Sequence, residues 1–249
     1  MPERRAPRWG CFLLFIILIV AVGLGWREYQ RMVREEPERF PWTPLSLSDP
    51  IGPFTAAKLA ALADDPQRCE ALMTAHGDAD RAAPSRRGPV AGCGYEDGIR
   101  LQPETERSIE FAPVNVVTAC PVAAALALWE REVVQPAAMR FLGERVTRID
   151  HLGSYSCRGL YGKRDGPLSE HATADAIDIA GFRLASGRAL TIRGDWSKAN
   201  RDAAFLHALR DGACDLFATV LSPDYNVAHA DHLHLDQAQR GRGGWRACK

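Results

Sequence analysis

Two stretches concentrate the side chains able to do chemistry, SEHATADAID at residues 169–178 and HADHLHLD at 229–236. Between them they offer His171, Asp178 and His234, two imidazoles and one carboxylate. Three donors of these types suit a zinc ion (Zn2+) whose fourth coordination position stays open for water. A strand period of two puts His232, His234 and Asp236 on one face, with Asp231 and Leu233 on the other. His232 therefore stands beside the last ligand candidate. Asp231 approaches the site only if the strand begins near His232 and the residue before it turns inward. The plainer reading of the same residues is a hydrogen-bonded, pH-sensitive histidine cluster without metal. A metal-storage tract fits poorly, because the flanking residues are strand-forming.

The elements that must position these residues follow from local pattern. Residues 174–182 are apolar and strand-like, so His171 lies just before a strand and Asp178 inside it. Residues 232–235 read as a last strand, preceded by a strand at 217–221 and the turn Ser222-Pro223-Asp224-Tyr225-Asn226. Residues 145–156 form a further strand, and Ser186-Gly187 turns a hairpin into ALTIRG. The clearest helix opens at Cys120-Pro121, with proline suited to the first turn, and Pro136 is expected to end or kink it. Helices are also expected from Thr55, over 66–75 and over 199–209. Residues 77–98 read as loop, with Arg81, Arg86 and Arg87 solvated, and 99–117 as strands or extended chain. The predicted class is α+β: a small antiparallel sheet carrying the zinc site, flanked by helices, after an N-terminal transmembrane helix.

The N-terminus reads as an export signal. Arg4, Arg5 and Arg8 precede an uninterrupted apolar run from Cys11 to Val22, extended through Trp26. This basic flank and apolar core make a signal anchor or a signal peptide, with the anchor preferred. The expected organisation is a transmembrane anchor at 1–26, a juxtamembrane linker at 27–53 and a zinc domain at 54–249. The arginines then stay inside, which places a single-pass protein in the inner membrane with its C-terminal domain in the periplasm. Six cysteines remain outside the apolar run: Cys69, Cys93, Cys120, Cys157, Cys214 and Cys248. An even set in an exported domain implies disulfides, with fifteen connectivities open to six cysteines. The 31 basic residues equal the 31 acidic ones, so bulk charge gives no argument for a nucleic-acid partner.

Three segments carry a family resemblance: SYSCR at 154–158, SEHATADAIDIAGF at 169–182 and VLSPDYNVAHADHLHLD at 220–236. Together they resemble the bacterial extensin-like C-terminal domain family. Behind it stands a wider similarity to zinc peptidases that include D-alanyl-D-alanine carboxypeptidases, murein endopeptidases and the hedgehog-type domain. The resemblance implies zinc ligands at His171, Asp178 and His234. The carboxypeptidases place a glutamate base three residues before the last ligand, where this chain has Asp231. The endopeptidase pattern HxxHxH is matched by His229, His232 and His234, so the general base is Asp231 or His232. Arg158 is similar in placement to an arginine that contacts substrate or the developing oxyanion. Ser169 matches a serine two residues before the first ligand, and it joins Arg158 and His229 as expected substrate contacts. A glycine usual three residues after the first ligand is Ala174 here. These matches imply a membrane-anchored periplasmic zinc peptidase acting on peptidoglycan stem peptides or cross-links. The alternative is a non-catalytic, zinc-stabilised module that binds the cell wall or a protein.

Overall fold

The apolar run continues as one unbroken helix, α1 (Trp9–Glu35), in a computed structural model that describes residues 9–76, 82–101, 109–163, 166–240 and 245–249. Its 27 residues are long and apolar enough to cross a membrane, and none is buried against the rest of the chain. At 1.5 Å per residue α1 is about 40 Å long, more than the ~30 Å hydrocarbon core of a bilayer. The helix thus continues through residues 27–35, the charged start of the juxtamembrane segment, whose sequence also reads as helical at first. The segment that follows, read as a juxtamembrane linker, packs on the domain at its far end. Leu47 is buried in the main core, and the Arg131 guanidinium donates to the backbone carbonyls of Leu47 and Asp49. Arg131 thereby satisfies carbonyls that a proline-rich stretch cannot pair with itself.

Two short helices follow, α2 (Thr55–Ala60) and α3 (Pro66–Ala75), the second capped by the Asp65 carboxylate accepting from the Arg68 N–H at 3.1 Å. Next come β1 (Arg86–Arg87), β2 (Gly94–Tyr95), β3 (Gly98–Arg100), β4 (Glu110–Ala112) and β5 (Val117–Ala119). The loop expected over 77–98 is thus partly paired, since β1 and β2 form an antiparallel ladder. Arg81 and residues 102–108 lie outside the described residues.

The helix from Cys120 is apolar on every side, and all ten residues of α4 (Cys120–Trp129) are buried. Pro136 does not end it. The chain widens into a five-residue π-turn, Glu130–Val134, and continues as α5 (Gln135–Leu142). A proline lacks the N–H of the normal helical ladder and crowds the carbonyl four residues back, and the wider turn relieves both. Gly143, in the left-handed region at φ 74°, then stops the helix.

The remaining elements are β6 (Val146–Gly153), β7 (Ala176–Leu184), β8 (Ala189–Thr191), α6 (Ile192–Asp195), α7 (Arg201–Ala213), β9 (Thr219–Leu221), β10 (Leu233–Asp236) and β11 (Ala247–Cys248). They build a seven-stranded sheet in the order β11-β9-β10-β7-β6-β4, with β8 on β7. The expectation of a small antiparallel sheet holds for its centre only. Both edges are parallel, β4 on β6 and β11 on β9. These edge strands are two or three residues long, too short to carry a pattern of their own.

One face of this sheet packs on the helices. Phe182 lies 6.2 Å from Trp129 of α4 and 5.6 Å from Phe205 of α7, ring centre to ring centre, and all three rings are fully buried. The Trp129 indole N–H donates to the Leu209 carbonyl at 3.0 Å. Ile177 and Ile179 of β7 and Leu233 and Leu235 of β10 belong to the same core. Their alternation leaves Asp178, His234 and Asp236 on the opposite face. Asp178 and Phe182 have the same parity, yet they serve opposite faces. A bulge reconciles them: Ile179 pairs His151 and Gly181 pairs Asp150, so Ala180 is the extra residue that reverses the alternation.

All six cysteines of the domain pair: Cys69–Cys120, Cys93–Cys157 and Cys214–Cys248. Cys11, in α1, is free and exposed. The Cys93–Cys157 bridge closes 64 residues and holds the segment leading to Arg158. Replacing both of its cysteines by serine is expected to cost about 2–5 kcal/mol of stability. Urea unfolding without reductant checks this; an unchanged midpoint would contradict it.

Candidate metal and catalytic site

His234 and Asp178 face each other directly across the β10/β7 ladder. The His234 Nδ1 lies 3.0 Å from Asp178 Oδ1. His171 arrives from a short 3-10 turn, Glu170–Thr173, and its Nε2 lies 3.2 Å from His234 Nδ1 and 3.2 Å from Asp178 Oδ2. The turn is fixed at both ends. Ser169 Oγ accepts from the His171 backbone N–H at 3.4 Å, and Ala174 takes a left-handed φ of 58°. That conformation favours glycine, so an alanine there is held at some cost.

Both histidines have their second nitrogen engaged. His171 Nδ1 lies 2.6 Å from the Ser154 carbonyl oxygen, which can only accept, so this nitrogen carries a proton and Nε2 is the one turned towards His234 and Asp178. His234 Nε2 lies 3.0 Å from Asp236 Oδ2, and Asp236 also has the Arg240 guanidinium 3.6 Å away. Such outer partners orient imidazoles towards a metal and strengthen them as ligands. The separations of 3.0–3.2 Å lie near the roughly 3.3 Å edge of a tetrahedron built on ~2.0 Å metal–ligand bonds. The donor set therefore fits zinc.

The electrostatics favour a cation at this point. Burial alone would raise Asp178, but the hydrogen bonds with His171 and His234 prevail and hold its carboxyl well below the usual range. Burial disfavours a charged His234, yet the hydrogen bonds to Asp178 and Asp236 outweigh it and push this imidazole up to about 9. A proton and a metal ion compete for the same His234 Nδ1, so metal binding there releases a proton.

His232 and Asp231 occupy distinct positions. His232 precedes β10, and its Nε2 lies 3.5 Å from Asp178 Oδ1. Its Nδ1 lies 2.9 Å from Asp231 Oδ1. Asp231 stands behind His232, 3.5 Å from the Arg193 guanidinium and outside the cleft wall. The carboxylate thus holds Nδ1–H and leaves the Nε2 lone pair towards the site. His229 lies on a turn, Val227–His229, capped by Asn226, whose Oδ1 accepts from His229 Nδ1 at 2.8 Å. Its ring is 5.2 Å from that of His232 and 6.0 Å from that of His234. Burial, then the neighbouring His232 and His234, push His229 down to about 4.

That depression has a measurable consequence. The unfolded chain takes up a proton on this histidine below about pH 6.5, whereas the folded one resists until about 4. Stability from His229 is therefore complete above about 6.5 and is lost as the pH falls towards 4. A His229→Gln variant is expected to lose stability less steeply between pH 6.5 and 4 than the wild type in urea unfolding. Identical slopes would contradict the assignment.

These groups line a cleft of about 560 Å³, within the usual range for small-molecule sites. Arg158, Ser169, His171, Asp178, His229, His232 and His234 all border it. The Ser169 N–H donates to the Arg158 carbonyl at 3.0 Å, which ties the two segments together. Of the expected site residues only Asp231 lies off the wall, and Ser169 acts as the cap of the ligand turn. Sequence reasoning assigned no role to Asp236, Arg240, Asn226 or the Ser154 carbonyl. Asp236 was within reach, since it sits two residues from His234 on the same strand face.

The profile of the family described as extensin-like protein C-terminus matches residues 67–249, from within α3 to the end of the chain. No curated protein and no solved structure matches the chain.

Proposed function

We propose that this chain, which belongs to the extensin-like protein C-terminus family, is a membrane-anchored zinc peptidase acting on peptidoglycan stem peptides or cross-links. The observation that carries the reading is the meeting of two groups in one cleft. One is a His/Asp/His set whose two imidazoles are held from behind by the Ser154 carbonyl and by Asp236. The other is an imidazole whose free nitrogen faces that set while a carboxylate holds its far side. A purely structural metal site has no use for the second group.

His171, Asp178 and His234 would hold the metal. Zinc bound by such a set supplies Lewis acidity and a water made more acidic, towards neutral pH. His232 accepts a proton at Nε2, and Asp231 steadies the imidazolium that forms. The same Nε2–H then returns the proton to the departing amine nitrogen. His229, held neutral, cannot supply that proton at neutral pH, and it packs the rings of His232 and His234 in place. Arg158, on the cleft wall, offers its guanidinium to the substrate carboxylate or to the oxygen on which charge develops. The anchor α1, the paired cysteines and this chemistry together favour a periplasmic domain facing the cell wall.

The test is incubation of the zinc-loaded protein with isolated peptidoglycan peptides, read by mass spectrometry and by release of new amino groups. New amines that vanish on chelation and return with zinc are expected. A zinc-loaded protein that releases none from monomeric or cross-linked fragments would favour the binding module instead.

A further inference from the structure

The chain leaving α1 turns back on itself. Glu35, the last residue of α1, lies six residues past Tyr29, about 9 Å further along the axis. After the turn Pro37–Arg39, however, Phe40 packs its ring on Tyr29 at 6.0 Å, edge to face. The contacts extend in both directions, Trp26 to Tyr29 at 5.5 Å and Phe40 to Trp42 at 5.3 Å. Four aromatic side chains from two separate segments thus form one continuous row at the end of the apolar stretch. Its two tryptophans remain largely exposed, Trp26 at 62% and Trp42 at 64%. Indole rings at this position suit the interfacial layer of a bilayer, apolar on one side and wet on the other.

The returning segment is also bound to the folded domain. The Lys58 ammonium of α2 donates to the Pro37 carbonyl at 3.3 Å and to Thr43 Oγ1 at 2.8 Å. Thr43 Oγ1 in turn donates to the carbonyls of Pro37 and Phe40. Leu47 then enters the core, and Arg131 holds the carbonyls of Leu47 and Asp49. Every step from the aromatic row to the core is fixed by a named contact.

We propose that Trp26, Tyr29, Phe40 and Trp42 form a membrane-seated collar that holds the domain directly against the lipid surface. The partner is the headgroup–acyl boundary of the bilayer that α1 spans, and the collar continues that contact. The cleft is thus carried at a set height above the membrane, and its substrates are those that come to the membrane-proximal layer. This rests on the membrane-anchored reading of α1.

The test uses the full-length protein in bilayer nanodiscs, with its six tryptophans labelled by fluorine and followed by NMR. A lipid carrying a spin label near the headgroup broadens nearby resonances. Trp42 is assigned by Trp42→Phe. Its resonance is expected to broaden as much as that of Trp26. Trp196, buried against His207 and bonded to Asp224, serves as control and should broaden at least threefold less. Broadening of Trp26 with Trp42 no more affected than Trp196 would overturn the collar and leave the anchor standing. Broadening of neither Trp9 nor Trp26 would overturn the anchor and the collar together.

Discussion

Replacing His232 by alanine is expected to leave zinc in place and to lower peptide-bond cleavage by about 100-fold or more, the usual cost of losing a general base. The residue is not one of the three converging donors, so metal content should not change. Its Nε2 nevertheless borders the cleft at 3.5 Å from Asp178 Oδ1. Asp231→Asn is expected to be milder, about tenfold, because that carboxylate acts on the proton only through His232 Nδ1. The order of the two effects is the informative result. Loss of activity in Asp231→Asn with little change in His232→Ala would mean that the carboxylate swings into the cleft. Parallel zinc analysis of each variant separates lost chemistry from lost metal.

Removing His234 should act on the metal itself. His234→Ala is expected to lose most bound zinc, since a three-residue set has no donor to spare. Asp236→Asn keeps the ligand but weakens its orientation, and a 10- to 100-fold loss of zinc affinity is expected. Asp236 is buried and bonded to His234 Nε2, so the asparagine amide must either turn its oxygen to that N–H or leave it unpaired. His229→Ala, by contrast, should retain zinc, because that ring touches its neighbours but offers no donor to the set. Undiminished zinc affinity in His234→Ala would remove the assignment.

The parts of this site visible in the sequence are those written in side-chain type and strand period. The faces of β10 followed from alternation, and His234 and Asp236 do share one face while Leu233 and Leu235 fill the core. The even set of six cysteines outside α1 pairs completely among the described residues, although its connectivity could not be read from spacing. What stayed hidden depends on backbone geometry. The bulge at Ala180 has no compositional mark, yet it alone lets Asp178 face the cleft and Phe182 the helices. The π-turn before Pro136 is equally silent, because wide and normal turns use the same residues. The orientation of His171 comes from a main-chain carbonyl, Ser154, which every residue type would provide. Which of Asp231 and His232 borders the cleft depends on the turn ahead of β10, where a shift of one residue exchanges their sides. The packing of the juxtamembrane linker expected at 27–53 stayed hidden for another reason. Proline and charge counts cannot reveal that Arg131, far along the chain, is placed to receive the carbonyls of Leu47 and Asp49.

Native mass spectrometry of the purified full-length protein, titrated with zinc at neutral pH, tests the central claim most directly. One tightly held zinc ion per chain is expected, lost from His171→Ala, Asp178→Ala and His234→Ala and kept by His232→Ala. A wild-type protein that holds no zinc, or whose zinc survives all three ligand substitutions, would contradict it.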